Sequence, residues 1–513
     1  MKKIYLYILF CSGLSLVSCN KDIIEINENY QALDPVNLDM KAGDWKLFFA
    51  GTSADYLIPV PEAVSSPAYQ NELKELKTIT ANLTNEQKEA INYWKAGSVL
   101  RWNEIMRELV AKHNLPPYQN NDGTYPAPSA SNPFSYPIFP FSNPPYAARA
   151  YAYLSIAQYD ALIMAWKFKA QFNRPAPYKV DSGIQVSIPK SDLPSYPSED
   201  AVISGATFEL MKLLFPADIA YVTRKAEEEK NYRLWSGANV KSDIVAGDSL
   251  GRWVARKVVQ QARADGMGAA GGNAAIWQQL EDDCKARGET PWMSLEAPAR
   301  PPMICLFGNV KPVLFAPSLI PSLRAMPPPS VNSDKMRLEI EEILKFTQNP
   351  TKENTRIVNF WADGVGTYTP PGHWNAIGTE EFVKSKMSEV RWARNYALLN
   401  AAMMDAAIVC WNTKFFYFNP RPSQLGPAIK TLTGVPNFPA YTSGHSTFSG
   451  AAAAILGYLV PGKSAQFDAM ALEASNSRMY GGIHYRSDCE QGLIAGRKIG
   501  NIAVDRAKTD GGN

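Results

Sequence analysis

Apolar residues recur at spacings of three and four along much of the chain, which is the pattern of amphipathic helices. The first half shows it most clearly in Glu72 to Ile79, Asn85 to Trp94, Arg101 to His113, Ala147 to Ala170 and Ala201 to Leu214. Prolines lie mainly between these stretches, as expected where helices begin and end. Equivalent stretches follow in the second half. The pattern therefore predicts an all-α fold built from packed helical bundles.

The chain also resembles itself at a constant separation of 245 residues. Identical pairs at that separation include Arg149 with Arg394, Tyr151 with Tyr396, Asp160 with Asp405, Trp166 with Trp411, Lys169 with Lys414, Ser198 with Ser443, Arg233 with Arg478 and Asp243 with Asp488. Chance similarity is not expected to keep one separation over so long a stretch. We predict an internal duplication that gives two tandem helical bundles, of which the second is catalytic.

The repeat and the composition shifts divide the chain into five parts. The predicted parts are a lipoprotein signal peptide (1–19), an N-terminal linker and loop segment (20–69), a first, degenerate bundle (70–270), a proline-rich connection (271–334) and the catalytic bundle (335–513).

The N-terminus has the features of an export signal. Lys2 and Lys3 precede an apolar run from Ile4 to Leu16, and Leu16-Val17-Ser18-Cys19 follows. This resembles a bacterial lipoprotein signal, which implies lipidation of Cys19; an ordinary signal peptide or a short membrane anchor is the alternative. No later apolar run is long enough to cross a bilayer. We expect an exported protein held by a lipid anchor in the cell envelope, at the outer membrane, on its periplasmic or surface side.

Charge and cysteine content narrow the classes further. The 513 residues include 52 basic and 49 acidic side chains, a balance that excludes a general nucleic-acid binder. Four cysteines lie beyond the signal, without a CxxC pair or zinc spacing. A disulfide between Cys284 and Cys305 and buried free thiols are both compatible with this spacing.

Three short segments of the second half carry the candidate chemistry. They are Lys414-x6-Arg421-Pro422, Ser443-Gly444-His445 and Ser477-Arg478-x5-His484-x3-Asp488. Three cations that converge would repel one another strongly unless a multiply charged anion lay between them. Ser443 and Gly444 precede a predicted helix from Thr447 to Val460, whose N-terminus favours an anionic oxygen. The set predicts a phosphate or vanadate site.

These segments resemble the type 2 phosphatidic acid phosphatase and vanadium-dependent haloperoxidase superfamily, and in particular its bacterial vanadium haloperoxidase-like members. Thr442 stands where the family usually has proline. The resemblance implies that Lys414, Arg421, Ser443, Gly444 and Arg478 bind the oxyanion. It also implies that His484 attacks phosphorus or coordinates vanadium, that Asp488 fixes its tautomer, and that His445 is the general acid and base.

The first copy serves as an internal control. At its corresponding positions, Glu199, Asp200 and Asn239 replace Gly444, His445 and His484. The first copy is therefore expected to keep the scaffold and to lack catalysis. Asp488 and Trp411 recur in both copies, so a structural role for them stays open.

Two enzymes fit the same pocket. A haloperoxidase would use vanadate as cofactor with hydrogen peroxide and halide as substrates, whereas an acid phosphatase would hydrolyse a phosphate ester through a phosphohistidine without a cofactor. The resemblance implies that haloperoxidases of this superfamily have two bundles in a long chain and soluble bacterial acid phosphatases have one, so the length and the duplication favour the first. Trp411 and Phe438 resemble the halide-side aromatic residues of chloroperoxidase-type members. His373 either lines the pocket or is structural. A non-catalytic phosphate-binding surface lipoprotein is a further alternative, and the oligomeric state stays open.

Overall fold

The computed structural model describes residues 29–115, 140–296 and 299–513. The predicted signal peptide and Cys19 lie outside the described residues. Within them the chain is helical and contains no strand, which confirms the all-α prediction. No helix of the described residues combines the length and the apolar character needed to cross a bilayer.

The helices are numbered in chain order over the described residues. They are α1 (Pro67–Ala81), α2 (Asn85–Trp94), α3 (Ser98–His113), α4 (Pro144–Phe172), α5 (Pro177–Val180), α6 (Glu199–Leu214), α7 (Ile219–Trp235), α8 (Lys241–Arg263), α9 (Ala274–Ala286), α10 (Ile320–Leu323), α11 (Asp334–Gln348), α12 (Lys352–Phe360), α13 (Thr369–Phe382), α14 (Glu389–Tyr417), α15 (Pro422–Leu425), α16 (Gly444–Leu459), α17 (Ser464–Tyr480) and α18 (Arg486–Thr509). Short 3₁₀ turns, such as Phe307–Asn309 and Pro461–Lys463, lie between them.

The helix bounds recur at the separation seen in the sequence. Helices α14, α16, α17 and α18 each begin 245 residues after α4, α6, α7 and α8, respectively. Buried ion pairs recur as well, because Arg149 pairs with Asp265 and Arg394 pairs with Asp510. The two halves therefore share one arrangement of helices, while their descent from a duplication stays a prediction.

The two long helices α4 and α14 form the centre of the fold. Both are buried along nearly their whole length and pack against each other. In addition, α4 packs against α6 and α8, and α14 packs against α16 and α18. Alanines along both helices allow this close approach. The side chain of Glu389, at the start of α14, accepts hydrogen bonds from the backbone N–H groups of Ser98 and Val99 at the start of α3. Residues 31–513 consequently form one compact unit.

Glycines let α16 and α18 approach closely enough to bring two site segments together. A Cβ on Gly496 would lie 2.1 Å from the carbonyl oxygen of Thr447, and one on Gly492 would lie 2.9 Å from that of Ser443. At the same junction the backbone N–H of Ser443 donates to the carbonyl oxygen of Asp488 at 3.0 Å. The packing thus fixes the start of α16 against the start of α18.

The described cysteines are buried and free: Cys284, Cys305, Cys410 and Cys489. The spacing was compatible with a disulfide between Cys284 and Cys305 or with buried free thiols, and the structure has free thiols.

Candidate active site

A cavity of about 500 Å³ opens beside the N-terminus of α16. Gly444 and His445 of α16, Arg478 of α17 and His484 from the loop before α18 line one part of its wall. Ser443 is the N-cap of α16, and its hydroxyl accepts a hydrogen bond from the N–H of Ser446 at 3.3 Å. The structure therefore brings the three sequence segments to one place.

His484 is held from both sides of its ring. Its Nδ1 lies 2.8 Å from Oδ2 of Asp488, and its Nε2 lies 3.0 Å from Nη1 of Arg421. Asp488 is the third residue of α18 and also accepts from the backbone N–H of Tyr485. His484 precedes α18, and Asp488 reaches back to it from the first turn of that helix. Burial, followed by the charges of Arg421 and Lys414, lowers the pKa of His484 well below its usual value.

Arg421 is buried beneath the cavity with one amino group left without a partner. Its Nε donates to the carbonyl oxygen of Phe438 at 2.9 Å, and its Nη1 donates to that of Ile483 at 2.8 Å. Nη2 is buried and has no hydrogen-bond partner among the described residues. Burial lowers the pKa of Arg421 to about 10, so the guanidinium stays charged at neutral pH.

Lys414, in the last turn of α14, has only backbone acceptors. Its Nζ donates to the carbonyl oxygens of Pro439 and Ala440, both at 2.8 Å. Burial is the main cause that lowers the pKa of Lys414 to about 7, and the positive charge of Arg421 acts in the same direction. An ammonium has three donors, and the backbone occupies two of them. None of the described residues accepts the third.

Arg478 lines the cavity and is anchored at its base. Nε donates to the hydroxyl of Ser477 at 2.8 Å, and Nη2 donates to the carbonyl oxygen of Val358 at 3.3 Å. Burial lowers the pKa of Arg478 to about 10, although the nearby carboxylate of Asp363 opposes this shift. The side chain is therefore a fixed cation at the cavity wall.

His445 faces a carboxylate that the sequence analysis did not select. Its Nε2 lies 3.7 Å from Oδ2 of Asp363, and both atoms are buried without a hydrogen-bond partner in the part of the chain that the structure describes. The other oxygen of Asp363 lies 3.0 Å from Nδ1 of His373. Burial, followed by the charge of Arg478, lowers the pKa of His445 well below its usual value. Asp363 has a φ of 46°, a left-handed conformation that aspartate tolerates better than most residues, and it precedes Gly364. The signal in the sequence that could have pointed to Asp363 is this polar turn between two segments of helical periodicity.

The three predicted pocket residues fall in two places. Trp411 and Phe438 line the cavity, with ring centroids 5.0 Å apart. His373 does not line it: the side chain lies behind Asp363 and packs on Trp361 at a centroid distance of 4.6 Å. His373 is therefore not among the residues that line the cavity, and it contacts Asp363, which does line it.

The cavity wall also includes residues from outside the predicted catalytic bundle. Ser142 and Pro144 come from the first half, and Glu296, Arg300 and Met303 come from the proline-rich connection. Sequence analysis predicted loops that cover the bundles but could not say which loop side chains reach the cavity, because their placement depends on tertiary packing.

The corresponding place in the first half is neutralised by its own carboxylates. Arg233, equivalent to Arg478, pairs with Asp200 at 3.1 Å and donates to Oδ1 of Asn239 at 2.9 Å. Asp200 and Asn239 stand at the positions of His445 and His484. An internal carboxylate therefore already balances the cation that faces the cavity in the second half.

The donor set of the second half fits a tetrahedral oxyanion. The unpartnered Nη2 of Arg421, the third donor of Lys414, Arg478 and the N–H groups at the start of α16 supply positive charge and hydrogen-bond donors. Nε2 of His484 is the neighbouring atom with a lone pair. Phosphate and vanadate both match these donors.

Residues 395–509 match the sequence model of the PAP2 superfamily. We refer to residues 395–509 as the PAP2 segment. The PAP2 segment contains every oxyanion donor described above, together with both histidines that line the cavity and Asp488. Asp363 and His373 lie outside it, as do the cavity residues of the connection.

Two known proteins resemble the chain more specifically. Vanadium chloroperoxidase from Curvularia inaequalis is 32% identical over 123 residues, which cover 18% of this chain and 20% of the chloroperoxidase. The chain thus spans about a fifth of the curated relative that it matches. The solved structure of a bacterial vanadium-dependent iodoperoxidase aligns with a TM-score of 0.55 and 22% identity, over 71% of this chain and 91% of that one. The similarity to the iodoperoxidase structure shows a shared fold and nothing about activity.

Proposed function

We propose that the PAP2 segment binds orthovanadate and that the protein oxidises halide with hydrogen peroxide. The observation that carries this proposal is the pairing of two atoms under the cavity: the buried, unpartnered Nη2 of Arg421 and the neighbouring Nε2 of His484. A buried cationic donor without a partner is unfavourable unless an anion occupies the site. The similarity to a vanadium chloroperoxidase supports vanadate as that anion.

Each donor has a distinct part in holding the oxyanion. Lys414, Arg421 and Arg478 would neutralise its charge, while Ser443 and the N–H of Gly444 would bind oxygen at the helix N-terminus. His484 would be the single protein ligand through Nε2, because Asp488 keeps the proton on Nδ1. Bound vanadate supplies a Lewis-acidic centre that activates hydrogen peroxide toward attack by halide.

His445 is suited to accept a proton. Its lowered pKa leaves the imidazole neutral at pH 7, so Nε2 can take a proton from incoming hydrogen peroxide. The carboxylate of Asp363, 3.7 Å away, then stabilises the imidazolium that forms. Trp411 and Phe438 would border the path of the halide, and the identity of the halide is left to experiment.

Hydrolysis of a phosphate monoester is the second candidate. The lone pair on Nε2 of His484 could attack phosphorus, and the same cations would stabilise the transferred group. That reaction also needs an acid to protonate the leaving alkoxide. His445, at the cavity wall, would have to supply that proton.

The deciding experiment compares both reactions on one preparation of the purified protein. Iodide, bromide and chloride oxidation is measured with hydrogen peroxide after loading with orthovanadate, and hydrolysis of a chromogenic phosphate ester is measured without vanadate. Vanadate-dependent halide oxidation that His484→Ala abolishes would support the proposal. Ester hydrolysis that vanadate inhibits, without halide oxidation, would assign the protein to the phosphatases. Tight phosphate binding with neither activity would indicate a binding lipoprotein.

We also propose export and lipid anchoring at Cys19. Cys19→Ala should move the protein from the detergent phase to the aqueous phase when cell envelopes are partitioned. Unchanged partitioning would refute lipidation at this residue.

A further inference from the structure

A cavity of about 260 Å³ lies in the first half, at the place that corresponds to the active site. Its wall combines the equivalents of the site residues with side chains from residues 33–38 and from the start of α14. The reactions proposed above do not use this cavity. The equivalent residues in its wall are Lys169, Glu199, Asp200, Arg233 and Asn239, at the positions of Lys414, Gly444, His445, Arg478 and His484.

Three buried carboxylates line the cavity, and two of them are fully paired. Asp200 accepts from the hydroxyls of Ser98 and Tyr232, both at 2.8 Å, and forms an ion pair with Arg233 at 3.1 Å. Glu389 accepts from two backbone N–H groups at the start of α3. Neither of these two carboxylates needs a further partner.

Glu199, the first residue of α6, is the exception. Its side chain is buried at the wall and has no hydrogen bond or ion pair among the described residues. The indole N–H of Trp166 is a neighbouring donor, yet its Nε1 is also buried without a hydrogen-bond partner in the described part of the chain. Burial raises the pKa of Glu199, as expected for a carboxylate that lacks a positive partner in contact. A ligand could supply that partner.

Lys169, in the last turn of α4, carries the opposite charge. Its Nζ donates to the carbonyl oxygen of Pro194. An ammonium has three donors, and the other two have no acceptor among the residues that the structure describes. Lys169 and Glu199 line one cavity without forming an ion pair. Burial lowers the pKa of Lys169, and the charge of Glu199 opposes this shift, so the two charges interact without contact.

The cavity also offers an apolar surface and a way in. Exposed residues such as Val36 and Asp192 line it, so the cavity reaches the protein surface. Its volume lies just below the range of pockets for drug-sized ligands, which favours a small molecule. The apolar part of the wall is formed mainly by Leu33, Val36, Leu38, Ile188 and Leu193.

We propose that this cavity binds a zwitterionic amino acid with an apolar side chain. The ammonium group of the ligand would pair with Glu199, its carboxylate would pair with Lys169, and its side chain would contact the apolar wall. A simple amine would leave Lys169 without a partner, and a simple acid would leave Glu199 without one. This site is separate from the proposed halide oxidation and does not depend on it.

Calorimetric titration of the purified full chain with L-leucine tests the site. Two analogues are the matched probes, because leucinamide lacks the carboxylate and 4-methylpentanoate lacks the ammonium group. We expect L-leucine to bind, and each analogue to bind at least about tenfold more weakly, since each leaves one buried charge without a partner. Absence of binding by L-leucine, L-valine and L-methionine up to about 10 mM would overturn the inference. Equal affinities for L-leucine and both analogues would overturn it as well.

Two variants assign the charges separately. Glu199→Gln should weaken L-leucine binding by about tenfold or more without weakening that of 4-methylpentanoate, whereas Lys169→Met should spare leucinamide instead. Glu353→Gln, which breaks an exposed ion pair on α12, should leave all three affinities unchanged. Circular dichroism checks that each variant is folded, and if one is not, the analogues on the wild type still decide.

A variant of the second half distinguishes the two cavities. His484→Ala alters the wall of the active-site cavity and leaves the wall of the first-half cavity intact. It should therefore bind L-leucine with the affinity of the wild type. Loss of L-leucine binding in folded His484→Ala would place the ligand in the active-site cavity and overturn the inference.

Discussion

Nη1 of Arg421 lies 3.0 Å from Nε2 of His484. A guanidinium can only donate, so this contact places the lone pair of the imidazole on Nε2 and its proton on Nδ1, which faces Asp488. The atom that a ligand or an electrophile needs is therefore presented beside a cation. The arrangement is the same whether the electrophile is phosphorus or vanadium.

Removal of His484 should abolish turnover by either reaction. His484→Ala deletes the lone pair at Nε2 and should lower kcat by about 1000-fold or more. The matched control is Asn239→Ala, at the equivalent position of the first half, which should leave the kcat of the folded protein unchanged. Circular dichroism and steady-state kinetics are compared for both variants. Full activity of His484→Ala would refute the site.

Asp363 should act through His445. Asp363→Asn keeps the size of the side chain but removes the negative charge 3.7 Å from Nε2 of His445. We expect kcat/KM for halide oxidation to fall by about 10- to 100-fold. We also expect the acidic limb of its pH profile to move to lower pH, because the imidazolium loses a stabilising partner.

The control for Asp363 is a surface carboxylate on α12. Glu353→Gln breaks an exposed ion pair with Arg356 and should change kcat/KM less than about twofold. An Asp363→Asn profile that is lowered uniformly at all pH values, with no shift of its limb, would contradict a positioning role for Asp363.

Anion affinity should fall as the pH rises above neutrality. The pKa of Lys414 is lowered to about 7, so the ammonium loses its proton above that pH and the site loses a positive charge. Sulfate is a suitable probe because its own charge is constant in this range. Its affinity should fall by up to about tenfold per pH unit between pH 7 and 9.

Proton uptake gives an independent check on Lys414. A bound anion raises the pKa of Lys414, so sulfate binding at pH 8 should take up a proton, measured by calorimetry in buffers of different ionisation enthalpy. Lys414→Gln should bind more weakly and take up less. Wild-type binding without proton uptake would show that Lys414 is already charged at pH 8.

Close packing of α16 and α18 should make Gly496 irreplaceable despite its helical position. Alanine normally stabilises a helix by about 0.5–1 kcal/mol over glycine. Here its Cβ would lie 2.1 Å from the carbonyl oxygen of Thr447, so Gly496→Ala should lower the free energy of unfolding by about 1–3 kcal/mol. Gly462→Ala, which meets no heavy atom within 4 Å, should change it by less than about 0.5 kcal/mol. Urea unfolding of both variants decides, and equal midpoints would contradict the packing argument.

Helix positions were largely predictable, because apolar periodicity reflects which face each helix buries. The predicted helix from Asn85 to Trp94 has the observed bounds, whereas the one predicted from Thr447 begins at Gly444. The early start arises because Ser443 caps the helix and the small or polar residues after it are buried. A prediction from polarity alone therefore assigns such residues to a loop.

The site was predictable where residue type and order carry the chemistry. Arg478 and both histidines line the cavity, and Arg421 contacts His484. Lys414 lies near enough to Arg421 for their charges to interact. The role of Asp363 was not predictable, because a lone carboxylate in a loop has no spacing that points to a cavity. Only the packing of separate segments assigns it.

The mutual burial of α4 and α14 restricts how this protein can be dissected. Each long helix covers the apolar surface of the other, and Glu389 of the second half fastens the start of α3 in the first. A fragment with the oxyanion donors alone would expose one complete side of α14 to water. The second half is therefore not a transferable module, and a chimera that folds would have to inherit both long helices together.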